Sequence, residues 1–139
     1  MVIDFHVHCF PDNLAAKAVP SLAAAAGERA HTDGTLSDLK RSMDEAGVDI
    51  SVLQPVATRP GQVESINNWL EDVVDSRITA FGAMHPDLES RHMMDALEKI
   101  VDIGLKGIKL HPDYQDFFVD EERLYPIYEE IFSRGLYIL

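Results

Sequence analysis

Residues 2–13 read VIDFHVHCFPDN. Apolar β-branched and aromatic residues alternate with polar ones over 2–8, which is the signature of a β-strand. Side chains two apart on a strand point the same way, so simple alternation puts Asp4, His6 and His8 on one face and Ile3, Phe5 and Val7 on the other. The expectation is a buried strand with one apolar face and one chemical face. Two imidazoles converging from one face are the donors that zinc and its transition-series neighbours take. Asp4, one step earlier on that face, is placed to orient a ligating ring or to share the ion from behind. The competing reading is two polar residues at a strand end.

Outward from this stretch a regular rhythm follows. Thr35 is the expected N-cap of a helix with Leu36, Leu39, Met43 and Ala46 on one face and Gly47 as its stop. Residues 48–56 read as a strand, and 62–75 as a helix with Val63, Ile66, Leu70 and Val73 in one stripe. Residues 78–85 are a third strand, 90–103 a third helix closed by Gly104, and 107–113, GIKLHPD, contain a fourth strand. Asp120 caps a helix with Leu124, Ile127 and Ile131 on its apolar face, kinked by Pro126, and 136–139 open a fifth strand. The first connection, 9–34, is long; its Ala-rich part from 14 to 27 predicts a short helical excursion interrupted at Pro20.

Strands alternating with helices every ~25 to 30 residues imply βαβ units and a parallel sheet. A doubly wound sheet would carry a Gly-rich turn after its first strand, and none is present. In a (β/α)8 barrel the chemistry sits at the strand ends, where His8, Gln54, His85 and His111 all fall. The expected fold is therefore α/β of the TIM-barrel type. Residues 1–139 are expected to form one domain, truncated to the first four βα units plus the start of strand five.

The fourth strand repeats the device of the first. Lys109 and His111 share one face, Ile108 and Leu110 the other. A lysine inside a barrel needs a partner or a depressed pKa, so Lys109 calls for ligands, carboxylates or a bound substrate anion, unless its head snorkels to the rim. His85, in MHPD, echoes His111, in LHPD; both precede a Pro-Asp turn signal, and loop geometry alone accounts for the echo. His31 falls in the long first loop, His92 on a helix surface, and Cys9 on the face opposite His8, where a core role suits it.

Composition narrows the function classes. The chain has 24 acidic and 12 basic residues, a formal net charge of −12, without the basic patch that nucleic-acid binding requires. No apolar run approaches the length of a membrane span, and residues 1–4 lack the features of a secretion signal, so a cytoplasmic protein is expected. The single Cys9 fits a reducing compartment. Small-molecule chemistry is the favoured class.

IDFHVHCFPD at 3–12 and GIKLHPDYQDF at 107–117 together resemble the amidohydrolase superfamily, specifically its amidohydrolase 2 branch of TIM-barrel metal-dependent hydrolases and decarboxylases. The resemblance runs through the whole chain in order. It implies a divalent metal, zinc in most members or manganese, held by His6 and His8. The family's remaining ligands, a His on a later strand and an Asp on the last, have no counterpart here. Lys109 matches the position at which some superfamily members carry a carboxylated lysine; His111 and Lys109 are the candidate catalytic groups, and Asp4, Gln54, His85 and His111 the candidate substrate contacts. The implied reaction is hydrolysis of a small-molecule ester, lactone or amide by a metal-activated water. Decarboxylation within the same family, a phosphoesterase of the histidinol-phosphate type, and a non-catalytic half-barrel that only assembles are the alternatives. A homo-oligomer formed through exposed half-barrel edges is expected.

Overall fold

The computed structural model describes residues 1–139. In chain order the elements are β1 (Ile3–Val7), α1 (Asp12–Ala26), α2 (Leu36–Ala46), β2 (Ile50–Leu53), α3 (Val63–Val73), β3 (Ile78–Ala80), β4 (Gly82–Ala83), α4 (Ser90–Ile103), β5 (Gly107–Lys109), α5 (Pro112–Gln115), α6 (Tyr125–Ser133) and β6 (Tyr137–Ile138). Every strand pairing is parallel, in the orders β1-β2-β3 and β4-β5-β6. Only Phe81 separates β3 from β4, and its N–H still bonds to Leu53 O at 3.0 Å. The strands thus follow one another in space as in sequence, with no reversal of the kind that defines a doubly wound sheet. No helix is long and apolar enough to cross a membrane.

Local chemistry accounts for most element boundaries. The Thr35 hydroxyl accepts the Asp38 N–H at 3.1 Å, and Gly47 ends α2 in the left-handed region at φ 68°. Three expectations change. Helix α1 runs unbroken through Pro20, because the ring costs it only the bond to the carbonyl of Ala16, a residue that faces solvent. Pro126 falls in the first turn of α6, where its missing N–H has no intrahelical partner, so it starts the helix rather than kinking it. Asp120 is not the cap: a 3-10 turn, Glu122–Leu124, leads into α6.

Parallel partners project their side chains to the same side, so the register sorts the two faces. Ser51, Leu53, Ile78, Ala80, Gly82 and Ile108 lie on one. A Cβ on Gly82 would sit 2.4 Å from Ile100 of α4, which identifies this as the helix-facing side. Leu53, Leu70, Ile78, Leu97, Ile100, Ile108, Leu124 and Ile131, each 1% exposed or less, fill the core between sheet and helices. The opposite, concave face carries Val52, Gln54, Phe81, Gly107 and Lys109, and here a Cβ on Gly107 would lie 2.2 Å from the Phe81 ring.

Strand β1 departs from simple alternation. Ile3 pairs with Ile50, Asp4 with Ser51 and Val7 with Leu53, so three steps along β1 match two along β2. This is a β-bulge, and it reverses the alternation between Asp4 and Val7. Asp4 turns to the helix-facing side with Ser51, while Phe5 reaches the concave side and meets Phe81 edge-on at 5.8 Å. His6 and His8, flanking Val7, project to the concave side as well. Asp4 therefore does not share their face, contrary to the alternation. Nor is β1 a buried strand: it is an edge, with Ile3 47% and Phe5 54% exposed.

Candidate functional site

The strand ends bring four basic side chains into one region of the concave face. The His6 and His8 rings stand 5.0 Å apart between centroids, tilted by 59°. Burial, and then the neighbouring charges of His6 and Lys109, hold the His8 imidazole below its ordinary pKa; bonding to the Gln54 backbone opposes them, and His111 adds to the depression. His8 thus shares an electrostatic neighbourhood with residues from β1, the end of β5 and the start of α5. It favours the neutral form, the one able to ligate a metal.

Lys109 is 7% exposed, and burial lowers its pKa. Gln54, fully buried, donates from Nε2 to Phe5 O at 3.2 Å, and its Oε1 is sealed from solvent without a partner. His111 caps α5: its Nδ1 accepts the Tyr114 N–H at 3.3 Å, and its ring stacks on Tyr114 at 4.2 Å. A ring nitrogen that accepts carries no proton, so the other nitrogen, Nε2, holds the hydrogen. His111 presents a donor, not a metal-ligating lone pair.

His85 obeys the same rule. Its Nδ1 accepts the Asp87 N–H at 3.1 Å, which explains the HPD echo as two histidines each closing the turn that follows. Burial depresses its pKa; Asp87 works against that and Arg123 with it. Its charged neighbours are thus Asp87 and Arg123, themselves paired at 2.6 Å, rather than His8 or Lys109. Asp4 is exposed, and its Oδ1 accepts the His6 N–H at 3.3 Å; it orients backbone, not an imidazole.

Two buried amides that belong to no sequence motif hold the site's framework. Gln115 donates from Nε2 to Ala57 O at 2.8 Å and Met84 O at 2.7 Å, and its Oε1 accepts the His111 N–H at 2.8 Å. One side chain thereby ties together the segments after β2, β4 and β5. Asn67 of α3 takes both backbone groups of Ala83, with Oδ1 on its N–H at 2.8 Å and Nδ2 on its carbonyl at 3.0 Å. It supplies the ladder bonds that β2, which ends at Leu53, no longer offers. The only sequence signal for either is an amide within an otherwise amphipathic or turn segment.

Do these residues fit a divalent metal? His6 and His8 fit as two ligands converging from one strand. No group of three or more His, Cys, Asp or Glu side chains gathers around a common point, whereas a catalytic zinc takes three protein ligands. The chain's own donors therefore amount to a ligand pair, not a closed set.

The family model for the amidohydrolases, described as "Amidohydrolase", matches residues 3–139, from the first residue of β1 to the end of the chain. The chain belongs to the amidohydrolase family. No curated protein matches it. Within this amidohydrolase, the matched span includes every residue of the concave strand-end cluster: His6, His8, Gln54, Lys109 and His111.

Proposed function

We propose that this amidohydrolase chain forms the first strands of a (β/α)8 barrel and carries the first ligand pair of a metal-dependent hydrolase. Its substrate is a small-molecule ester, lactone or amide. The observation that carries this reading is the His6–His8 pair, 5.0 Å apart, which the β1 bulge turns onto the concave face. The sequential parallel strand order supports the barrel, because such winding continues in one direction until it closes. When bound, a zinc or manganese ion supplies Lewis-acid polarisation of a carbonyl and lowers the pKa of water.

The chain's own residues perform the rest. His6 and His8 hold the ion from one side. His111, with Nδ1 occupied, offers its Nε2 hydrogen to an oxygen of the substrate. Gln115 fixes the start of α5 and so the position of that ring. The test is native mass spectrometry after zinc loading, followed by hydrolysis assays on aryl esters and lactones. Zinc retained by the wild type and lost in both His6→Asn and His8→Asn supports the reading; equal zinc in all three overturns it. Carbon dioxide release without hydrolysis would move the chain to the decarboxylases of the family.

A second proposal rests on the open edges. Strands β1 and β6 each have one unpaired side, and Ile3, Phe5, Tyr137 and Leu139 are exposed there at 43–69%. Exposed strand edges with apolar side chains invite pairing, and a second copy of the chain offers both edges in complementary form. Sedimentation at micromolar concentration is expected to show a dimer; a monomer refutes this.

A further inference from the structure

Two side-chain atoms are sealed from solvent without a hydrogen-bond partner: Ser51 Oγ on the helix-facing side of the sheet and Gln54 Oε1 on the concave side. A buried acceptor without a donor costs stability, and an apolar side chain of the same length at position 54 would remove that cost. What the Gln54 amide contributes lies at its other end.

That end acts on the β1 bulge. The register passes from Asp4–Ser51 to Val7–Leu53, so Phe5 and His6 are the residues that the ladder skips. Gln54 grips this stretch twice. Its main-chain N–H donates to Val7 O at 2.9 Å, and its Nε2 donates to Phe5 O at 3.2 Å. The two acceptors flank His6, and Val7 is followed directly by His8. From the near side, Asp4 Oδ1 takes the His6 N–H at 3.3 Å. The bulge decides which way the histidines point. Without its extra residue, His6 would fall opposite Leu53, and both imidazoles would turn toward the helices. A bulge has fewer ladder bonds than a regular strand pair, so bonds from outside the ladder carry more of its definition.

We infer that Gln54 is a positioning residue for the candidate metal site: its double grip on Phe5 and Val7 holds the β1 bulge and keeps His6 and His8 together on the concave face before any ion binds. This rests on the reading of the two histidines as metal ligands. It also accounts for the sealed Oε1, since the amide is retained for its Nε2 donor at the cost of an unpaired oxygen. Groups that orient metal ligands from behind are worth about tenfold to a hundredfold in metal affinity.

The experiment compares the full chain with Gln54→Met, which keeps the main-chain bond and the length of the side chain and removes only the amide. Three quantities are measured: zinc affinity by competition with a chromophoric chelator, the imidazole nitrogen–proton NMR spectrum of the metal-free chain, and urea unfolding. Zinc binding is expected to weaken at least tenfold. The His6 and His8 signals are expected to shift while those of His31, His85 and His92 stay in place. The urea midpoint should remain close to that of the wild type, because one orphaned atom, Gln54 Oε1, is exchanged for another, Phe5 O. Gln54→Leu stands in if the methionine variant is misfolded. Unchanged His6 and His8 signals overturn the inference, as does equal zinc affinity of variant and wild type where the wild type binds zinc. A large loss of stability with all of these histidine signals moving also overturns it, because that marks an amide with a merely structural role. A wild type that takes up no zinc overturns the metal reading alone, and the selective shift of His6 and His8 in the metal-free chain then decides the positioning role.

Discussion

Gln115 is the residue whose removal most directly tests how the site is held. Its amide makes three hydrogen bonds to backbone groups of three different segments, at 2.7–2.8 Å, and the residue is 4% exposed. Gln115→Leu preserves volume but leaves the Ala57 and Met84 carbonyls and the His111 N–H without partners. At about 1–2 kcal/mol for each orphaned group, the loss is about 3–6 kcal/mol. That is a large fraction of the ~5–15 kcal/mol that stabilises a typical domain. Urea unfolding followed by circular dichroism reads it directly, as a lowered midpoint at unchanged slope. A loss below ~1 kcal/mol would refute the reasoning, because three buried polar groups cannot lose their partners so cheaply unless water reaches them. The same substitution frees the start of α5, so His111 amide exchange should accelerate along with the destabilisation.

Other outcomes follow from the same geometry. Asp4→Asn should leave zinc retention within about twofold of wild type, because the bulge turns Asp4 away from the histidines, whereas His8→Asn should abolish it; native mass spectrometry distinguishes the two. Asp75 receives Lys40 and the N–H groups of Arg77 and Ile78, which hold its carboxyl below the usual range. Its folded pKa is depressed, so its contribution is complete above the unfolded value of ~3.9 and vanishes as pH falls through the folded one. The stability gap between wild type and Asp75→Asn should be constant from pH 7 to 5 and close below about pH 4 in thermal melts. Thr35→Ala removes the cap on α2 and should cost about 1 kcal/mol in urea unfolding.

Local patterns along the chain suffice for the order of strands and helices and for several of their ends. Apolar spacing marks α2, α3 and α4 because an amphipathic helix must bury one stripe, and Thr35, Gly47 and Gly104 mark termini through bonds made within a few residues. The His6-x-His8 and Lys109-x-His111 pairs were visible for the same reason: a strand's alternation is local. Where alternation failed, the cause was a neighbour. The face of Asp4 depends on how β1 registers against β2, 47 residues away in sequence, and only the ladder reveals the extra residue between them. Likewise Gln115 looks like an ordinary turn amide until Ala57 and Met84 arrive beside it, 58 and 31 residues distant. The exposure of β1 also belongs to the tertiary level, since whether an apolar strand is buried depends on what packs against both of its edges. Local forces chose the elements; the long-range pairing of backbones decided which side chains meet.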